Sequence, residues 1–453
     1  MSDLIEPPAP KVHARDLPAW RLLFEMGRSS IGVWSDRVFD QLYPRGRAFG
    51  LNTILVNDPE GVRHVLTAPP GCYRRPVAFA RLIRPLGGTG LLLAEGDTWR
   101  RQRRQMAPLF TPGNLGALLP HFILASQTMA GRLGVSRRAN LSRTFHEAAL
   151  DAVLRALFST PASDGSGQFA GLVRVYIQGP GRPSVFDSFA QREEDFAFAS
   201  GSRRRFAARR EKALKALIAA RRQALLSSGP SDLLNLLLET RDSETGEPLS
   251  DTEIADQAAT FLFAGFETTS RLLFWASYLL ALDQGEQARL RQEVDAFPPD
   301  RVQGLDDLRH WPALRRTLLE ALRLYPPAPN LPRLAMEDDV ICDERVTRGT
   351  QVWISPWVLH RHRHFWTHPT AFMPGRFKDE PSPWTGTGAF IPFGGGPRIC
   401  IGAGFAMAEA QIMLARLIYS FAFSLENDRP VFPKASITIA PHVEPWFRIE
   451  PRR

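Results

Sequence analysis

A chain of 453 residues that is 44% hydrophobic and 23% charged can enclose a large core, which excludes a disordered tail or a disulfide-stapled mini-protein. Its net charge of +9 is nearly all arginine, with 51 arginines against five lysines. These arginines are dispersed, and no zinc-finger, helix-turn-helix or RNA-binding signature accompanies them. Nucleic acid is therefore not the expected partner, and a solvated surface with a basic face for an acidic protein accounts for the charge.

The N-terminus lacks the basic-then-apolar pattern of a signal peptide, and residues 1–18 read as extended. Residues 31–43 have helical spacing. Residues 47–56 read as a strand that ends at Asp58-Pro59-Glu60, where proline at the first helical position predicts a helix start. Residues 71–93, rich in Gly, Pro and Arg, read as irregular. Helical patterns follow over 98–107, 120–133 and 142–158. After a Gly/Ser/Pro-rich stretch at 160–183, a long basic helix is predicted over 193–226, with Arg203-Arg204-Arg205 and Arg209-Arg210 on a solvated face. A short helix over 231–240 leads to a loop, and Ser250 then caps a long helix reaching about 282. From 326 onward strands and turns mix with short helices, until an apolar helix over 403–421 and a last run of short strands. The longest apolar run, 272–282, falls short of the ~18 residues that would span a membrane. The expectation is a mainly α fold with minor β in one unit, 1–453, and a cytoplasmic monomer.

Cys72, Cys342 and Cys400 are far apart and form no CxxC pair, which argues against a zinc site or a disulfide framework. Cys400 lies in Phe393-Gly394-Gly395-Gly396-Pro397-Arg398-Ile399-Cys400-Ile401-Gly402. Three glycines and a proline favour neither helix nor strand, and the cysteine directly precedes a helical run. A thiol at a helix N-terminus is stabilised as thiolate, with backbone N–H groups available to the sulfur. That environment suits a metal-ligating thiolate; a small cysteine buried at a glycine-rich turn is the alternative.

The segment resembles the haem-binding loop of cytochromes P450 and satisfies the pattern F-x-x-G-x-[RH]-x-C-x-G. The resemblance implies that Cys400 is the axial ligand of a haem iron and that Arg398 contacts a propionate. It also implies that Phe393 packs beside the sulfur, while Gly394 and Gly402 let the backbone approach the macrocycle.

The helix that starts at Ser250 carries Ala264-Gly265-Phe266-Glu267-Thr268-Thr269 inside an otherwise apolar run. Glycine there costs about 1 kcal/mol relative to alanine. Threonine hydroxyls can bond the preceding turn, and local widening of such a helix is often functional. The run resembles the family's [AG]-G-x-[DE]-T-T motif, which implies room for dioxygen at Ala264 and Gly265 and proton delivery through Glu267 and Thr268. Reducing dioxygen to water consumes protons that a dry pocket does not offer.

Glu320 and Arg323 stand at i and i+3, alone a surface pair of small worth. They resemble the family's E-x-x-R, which implies a buried structural network completed by Arg376 in Phe372-Met373-Pro374-Gly375-Arg376-Phe377. Gly375 departs from the family's frequent glutamate. Trp99 and Arg103 match the family's W-x-x-x-R, whose donors suit anionic propionates, and Arg333 sits where many relatives place a further propionate arginine. The histidine-rich segment from His360 to His368 invites a metal reading, but it ends in Pro369 and has no acidic second shell. It resembles the family's meander, with Trp366, Pro369, Phe372 and Pro374 in register.

The matches keep the family's order from Trp99 to Gly402. They imply the cytochrome P450 fold, a triangular helical prism with a small β-rich lobe and haem b between two long helices. The implied reaction inserts one atom of dioxygen into a hydrophobic small molecule and reduces the other to water. Electrons would come indirectly from NAD(P)H through a separate ferredoxin or flavodoxin, no reductase being fused, and Arg100, Arg101 and Arg104 are candidates for its docking face. Pocket positions by the resemblance are 79–93, Phe261, Ala264, Thr268, 328–331 and 436–439, mostly apolar. Arg74, Arg75, Arg81 and Arg84 could hold a carboxylate, so a fatty-acid hydroxylase is an alternative. A peroxygenase using hydrogen peroxide and a non-catalytic haem sensor are the other two. Glu267-Thr268 argues against the first, and the lack of a signalling module against the second.

Overall fold

A computed structural model describes residues 4–48, 50–160, 199–224, 232–378 and 388–452, together with 176, 179–181, 187, 190, 192, 193 and 195. Its helices are α1 (Ala19–Arg28), α2 (Pro59–Thr67), α3 (Val77–Gly87), α4 (Gly96–Met106), α5 (Pro112–Leu133), α6 (Leu141–Phe158) and α7 (Ser200–Ala224), then α8 (Leu233–Glu239), α9 (Asp251–Leu282), α10 (Gln284–Ala296), α11 (Pro312–Leu324), α12 (Pro356–Leu359) and α13 (Ala403–Ser420). The centre is α9. Its capping box has Ser250 Oγ accepting from Glu253 N at 3.3 Å, while Glu253 accepts from Ser250 N at 2.9 Å. Beyond that cap the helix is buried on nearly every face, which is why its middle reads as apolar without a clean polar stripe.

The helices α6, α7, α3, α11 and α13 pack around α9. Trp275 of α9 stacks on Tyr325 at 4.0 Å between ring centroids, and its indole N–H donates to Ile439 O at 3.1 Å. One buried aromatic thus joins the helical core to the C-terminal strands. Burial of such side chains stabilises the fold by about 1.5–3 kcal/mol each.

The β-lobe is a five-stranded sheet with the order β1 (Arg45–Ala48), β2 (Leu51–Leu55), β8 (Gln351–Ile354), β5 (Leu331–Ala335), β3 (Tyr73–Arg74). The β2–β8 pair is parallel and the other pairs are antiparallel. β4 (Arg138–Ala139), β12 (Phe447–Pro451) and β9 (Phe421–Leu425) make a second sheet. The hairpins β6 (Asp339–Ile341) with β7 (Glu344–Val346) and β10 (Pro433–Ala435) with β11 (Ile439–Pro441) complete the strands. The mainly α, minor β expectation holds.

Several local expectations fail for physical reasons. Residues 31–43 contain only a 3₁₀ turn, Asp36–Phe39; their apolar side chains reach the core from irregular backbone. The N-terminal helix is instead α1, right after Pro18, and none of its residues is buried: Trp20 is 72% and Phe24 60% exposed. Residues 71–93 are not wholly irregular, because α3 starts just after Pro76, tolerates Pro85 inside and stops at Gly88 with φ +57°. The basic helix α7 is not a solvated face throughout. Arg203 is buried on Asp187 at 2.7 Å, and Arg210 is buried on Asp256 of α9 at 2.7 Å. No helix among the described residues is long and apolar enough to cross a membrane.

Candidate active site

The loop before α13 turns on glycines. Gly394 and Gly396 have φ of +73° and +63°, a region that side-chain-bearing residues avoid. The turn lies tight on α2: a Cβ on Gly396 would stand 2.4 Å from Leu66 O. Through this turn Cys400 N donates to Phe393 O at 2.9 Å, which closes the loop on its own first residue.

The Cys400 thiol is deep in the protein yet is not covered by protein atoms. Burial raises the thiol pKa on balance, and the Gly402 N–H and the Arg103 guanidinium offset only part of that rise. Cys72 has the opposite environment, with Glu337 and burial raising its thiol to about 11. A cationic group and a backbone donor stand at Cys400; a carboxylate stands at Cys72. Only Cys400 has a cation beside it to offset burial.

Around Cys400 converge Arg75, Arg103, Arg333 and Arg398, with Glu95 as the acid among them. Glu95 accepts from Arg75 at 2.9 Å and from Arg398 at 2.6 Å. Arg398 also donates to Ala94 O at 3.0 Å and lies 4.5 Å over the Trp99 ring. Arg103 donates to Ile399 O at 3.1 Å, and Arg333 to Pro332 O at 2.9 Å. Burial and the neighbouring Arg75 push Arg333 and Arg398 down to about 10, so both stay charged at neutral pH.

The sheet explains the convergence. In the β3–β5 register Arg74 faces Leu334, so the next residue, Arg75, comes opposite Arg333. Arg75 was counted from sequence as a substrate-carboxylate candidate; it belongs instead with Arg333 and Arg398. Of its companions in that expectation, Arg81 is buried on Asp187 at 3.1 Å and Arg84 pairs with Glu193. Neither is available as a carboxylate clamp.

On α9, Ala264, Gly265 and Thr268 are half-buried, and Thr268 Oγ1 donates to Ala264 O at 2.7 Å. The helix runs on as α through this bond, without a widened turn. Glu267 is buried and faces elsewhere. Its Oε1 accepts from Arg271 Nε at 3.0 Å and from Thr438 Oγ1 at 2.9 Å, while Oε2 lies 3.6 Å from His146 Nδ1 of α6. Glu267 and Thr268 therefore sit side by side without bonding each other. Arg271, Thr438 and His146 were not legible as partners, because tertiary packing alone brings α6 and the β10–β11 turn to this acid.

Glu320 and Arg323 are both fully buried and bidentate at 2.8 Å, and Arg376 Nε reaches Glu320 at 3.1 Å. Arg323 also donates to the carbonyls of His360, Pro369 and Ala371, fastening the meander to α11. The histidine run is part of this packing. His360 Nε2 accepts from Ile391 N at 2.9 Å, two residues before Phe393, and burial holds its imidazole down at about 3. His362 packs tilted against Phe365, 5.0 Å between ring centroids.

The comparisons decide what this arrangement is. The cytochrome P450 family model matches residues 46–442. The chain belongs to the cytochrome P450 family. A cytokinin hydroxylase of Arabidopsis thaliana is 32% identical over 371 residues, 78% of this chain and 70% of that protein. Human cytochrome P450 4F8 is 31% identical over 92% of this chain and 85% of its own. The crystal structure of the cytochrome P450DA haem domain superposes with a TM-score of 0.81 at 27% identity, covering 99% of this chain and 98% of that one. This P450 is thus a monooxygenase of the haem-dependent class.

The residues fit the group. An uncovered thiol with a cation and a backbone donor suits an iron, and four guanidiniums against one carboxylate leave positive charge for two propionates. The expected docking arginines are less free than their sequence suggested: Arg100 pairs with Asp97, Arg101 with Glu253, and Arg104 with Asp242 at 3.0 Å and Glu244 at 2.8 Å.

Proposed function

We propose that this P450 hydroxylates or epoxidises a hydrophobic small molecule at a haem b held by Cys400. The observation that carries the reading is the deep but uncovered Cys400 thiol beside the under-compensated arginine cluster. Bound there, haem would supply the activation of dioxygen that no side chain can perform. Cys400 would ligate the iron as thiolate, with the Gly402 N–H and the Arg103 charge offsetting part of the burial that opposes that form. Arg75, Arg103, Arg333 and Arg398 would hold the propionates, with the Trp99 indole beside them. Phe393, Gly394 and Gly402 would give the ligand loop its close approach.

Ala264 and Gly265 would leave room for dioxygen on α9. The Thr268 hydroxyl, anchored on Ala264 O, would hold a proton at the small reactant, and the Glu267 carboxylate would hold the next one. An apolar lining would exclude bulk water, and Phe261, packed edge-on against Phe110 at 5.1 Å, would belong to it. A separate ferredoxin or flavodoxin fed by NAD(P)H would supply two electrons. The commitment of Arg81 and Arg84 to Asp187 and Glu193 favours an uncharged substrate over a fatty acid.

The deciding measurement is the Soret band of the reduced protein under carbon monoxide. A strongly red-shifted band that Cys400→His abolishes supports the reading, and a band at the position of histidine-ligated haem ends it. Thr268→Ala then separates the alternatives. A monooxygenase wastes reductant as hydrogen peroxide, a peroxygenase is unaffected, and a haem sensor has no turnover to lose.

A further inference from the structure

We propose that His146 is a positioning residue that passes protons from solvent to Glu267; the proposal rests on the monooxygenase reading above. Three observations carry it. Glu267 is 2% exposed, and its Oε1 is saturated by Arg271 and Thr438, whereas Oε2 has no hydrogen bond. Oε2 faces His146 Nδ1 at 3.6 Å, which a small rotation of the imidazole brings to hydrogen-bond length. The imidazole is held edge-on to Phe266 at 4.9 Å, so the ring is aimed, while 19% of the side chain stays accessible.

The way out to solvent is short. Ser142 stands one turn before His146 on α6 and contacts Glu444, which is exposed, at 3.5 Å. Arg271 Nη1 reaches the same Ser142 hydroxyl at 3.5 Å. Among the described residues, the charged groups around this place are Glu267 and Arg271 from α9, Glu444 from the segment before β12, and Glu147 of α6, itself held by Arg143 and by Arg132 of α5. Among the described residues, the ion partners of Glu267 are Arg271 and His146.

The transfer balances simply. The Nδ1–H bond of the imidazolium breaks, an O–H bond forms on Oε2 of Glu267, and the neutral ring regains a proton from solvent. Imidazole is the side chain suited to this traffic near neutral pH. Arg271 cannot take the part, since a guanidinium does not give up its proton.

The test uses the haem-loaded full chain. His146 is assigned in a histidine NMR titration by the resonance lost in His146→Gln, and its midpoint is then followed in Glu267→Gln. Removal of a carboxylate within reach of the ring is expected to lower that midpoint by about one pH unit. Peroxide released per electron consumed is measured with a surrogate ferredoxin and reductase across pH. The parent should leak more as the pH rises through the His146 midpoint, and His146→Gln should leak several-fold more throughout, with no such step. An unmoved midpoint in Glu267→Gln, or a parent-like leak in His146→Gln, overturns the proposal. A parent that lacks the red-shifted carbon monoxide band sinks the monooxygenase reading instead, so the two failures are distinguishable.

Discussion

Arg323 is the side chain on which the meander hangs, and Arg323→Met tests that directly. The substitution removes both 2.8 Å bonds to the fully buried Glu320 and three donors to main-chain carbonyls. Breaking a buried ion pair from one side costs about 3–5 kcal/mol, because the remaining charge is stranded. Arg376 Nε at 3.1 Å and Met373 N at 2.9 Å still reach Glu320, which keeps the cost from going higher. Unfolding entropy of about 2.1 cal/mol/K per residue gives roughly 1 kcal/mol/K for a chain of 453 residues, so the loss corresponds to about 3–5 °C in Tm.

The assay is thermal unfolding monitored by circular dichroism, with haem content in parallel, because the meander abuts the Cys400 loop through His360 and Ile391. Two companions give the result its meaning. Arg376→Met should cost less, about 1–2 kcal/mol, since its guanidinium makes one bond to Glu320 and is partly exposed. The double variant Glu320→Gln with Arg323→Met should recover part of the loss by removing the stranded charge, but not the part that belongs to the three carbonyls. If Arg323→Met melts within about 1 °C of the parent, or Arg376→Met is equally damaging, the reasoning fails.

Gly396→Ala should sharply lower the haem-to-protein ratio, because its Cβ would lie 2.4 Å from Leu66 O; Gly394→Ala, with nothing nearer than 4.0 Å, should lower it less, and equal losses would refute the steric account. Glu409 is fully buried and its pKa is raised well above the usual value by burial, so its contribution is present below about pH 4.5 and is lost as pH rises toward the folded value. Glu409→Gln should therefore gain on the parent in Tm as pH rises from 5 to 8 on a scale of roughly pH units, and parallel curves would contradict this. His360 shows the opposite sign: lowered from 6.5 to about 3, it contributes stability that is present above 6.5 and lost as the pH falls toward 3. The full effect is on the order of 4–5 kcal/mol, and His360→Gln, which keeps an acceptor for Ile391 N, should flatten the acid limb of a Tm–pH curve.

What the sequence disclosed follows from how local each interaction is. Glu320 and Arg323 are three residues apart on one helix, and Cys400 sits in a single glycine turn, so spacing alone carries them. Arg75 and Glu95 meet Arg333 and Arg398 only through the β3–β5 register and the packing of α4. No window of sequence holds that information. Separation also hid the pairing of Arg203 and Arg210, whose acids stand 16 and 46 residues away on other elements; a run of arginines looks solvated until its partners are placed. The helix α3 was masked by Pro76 and Pro85, although proline at a helix start is a signal for a helix, and α1 was masked because its apolar residues bury nothing. Glu267 combines both cases. Its neighbour Thr268 made it legible as an acid on α9, yet its carboxylate turns toward His146, Arg271 and Thr438 on the far side. A motif thus names the acid, while the surrounding packing determines which groups that acid meets.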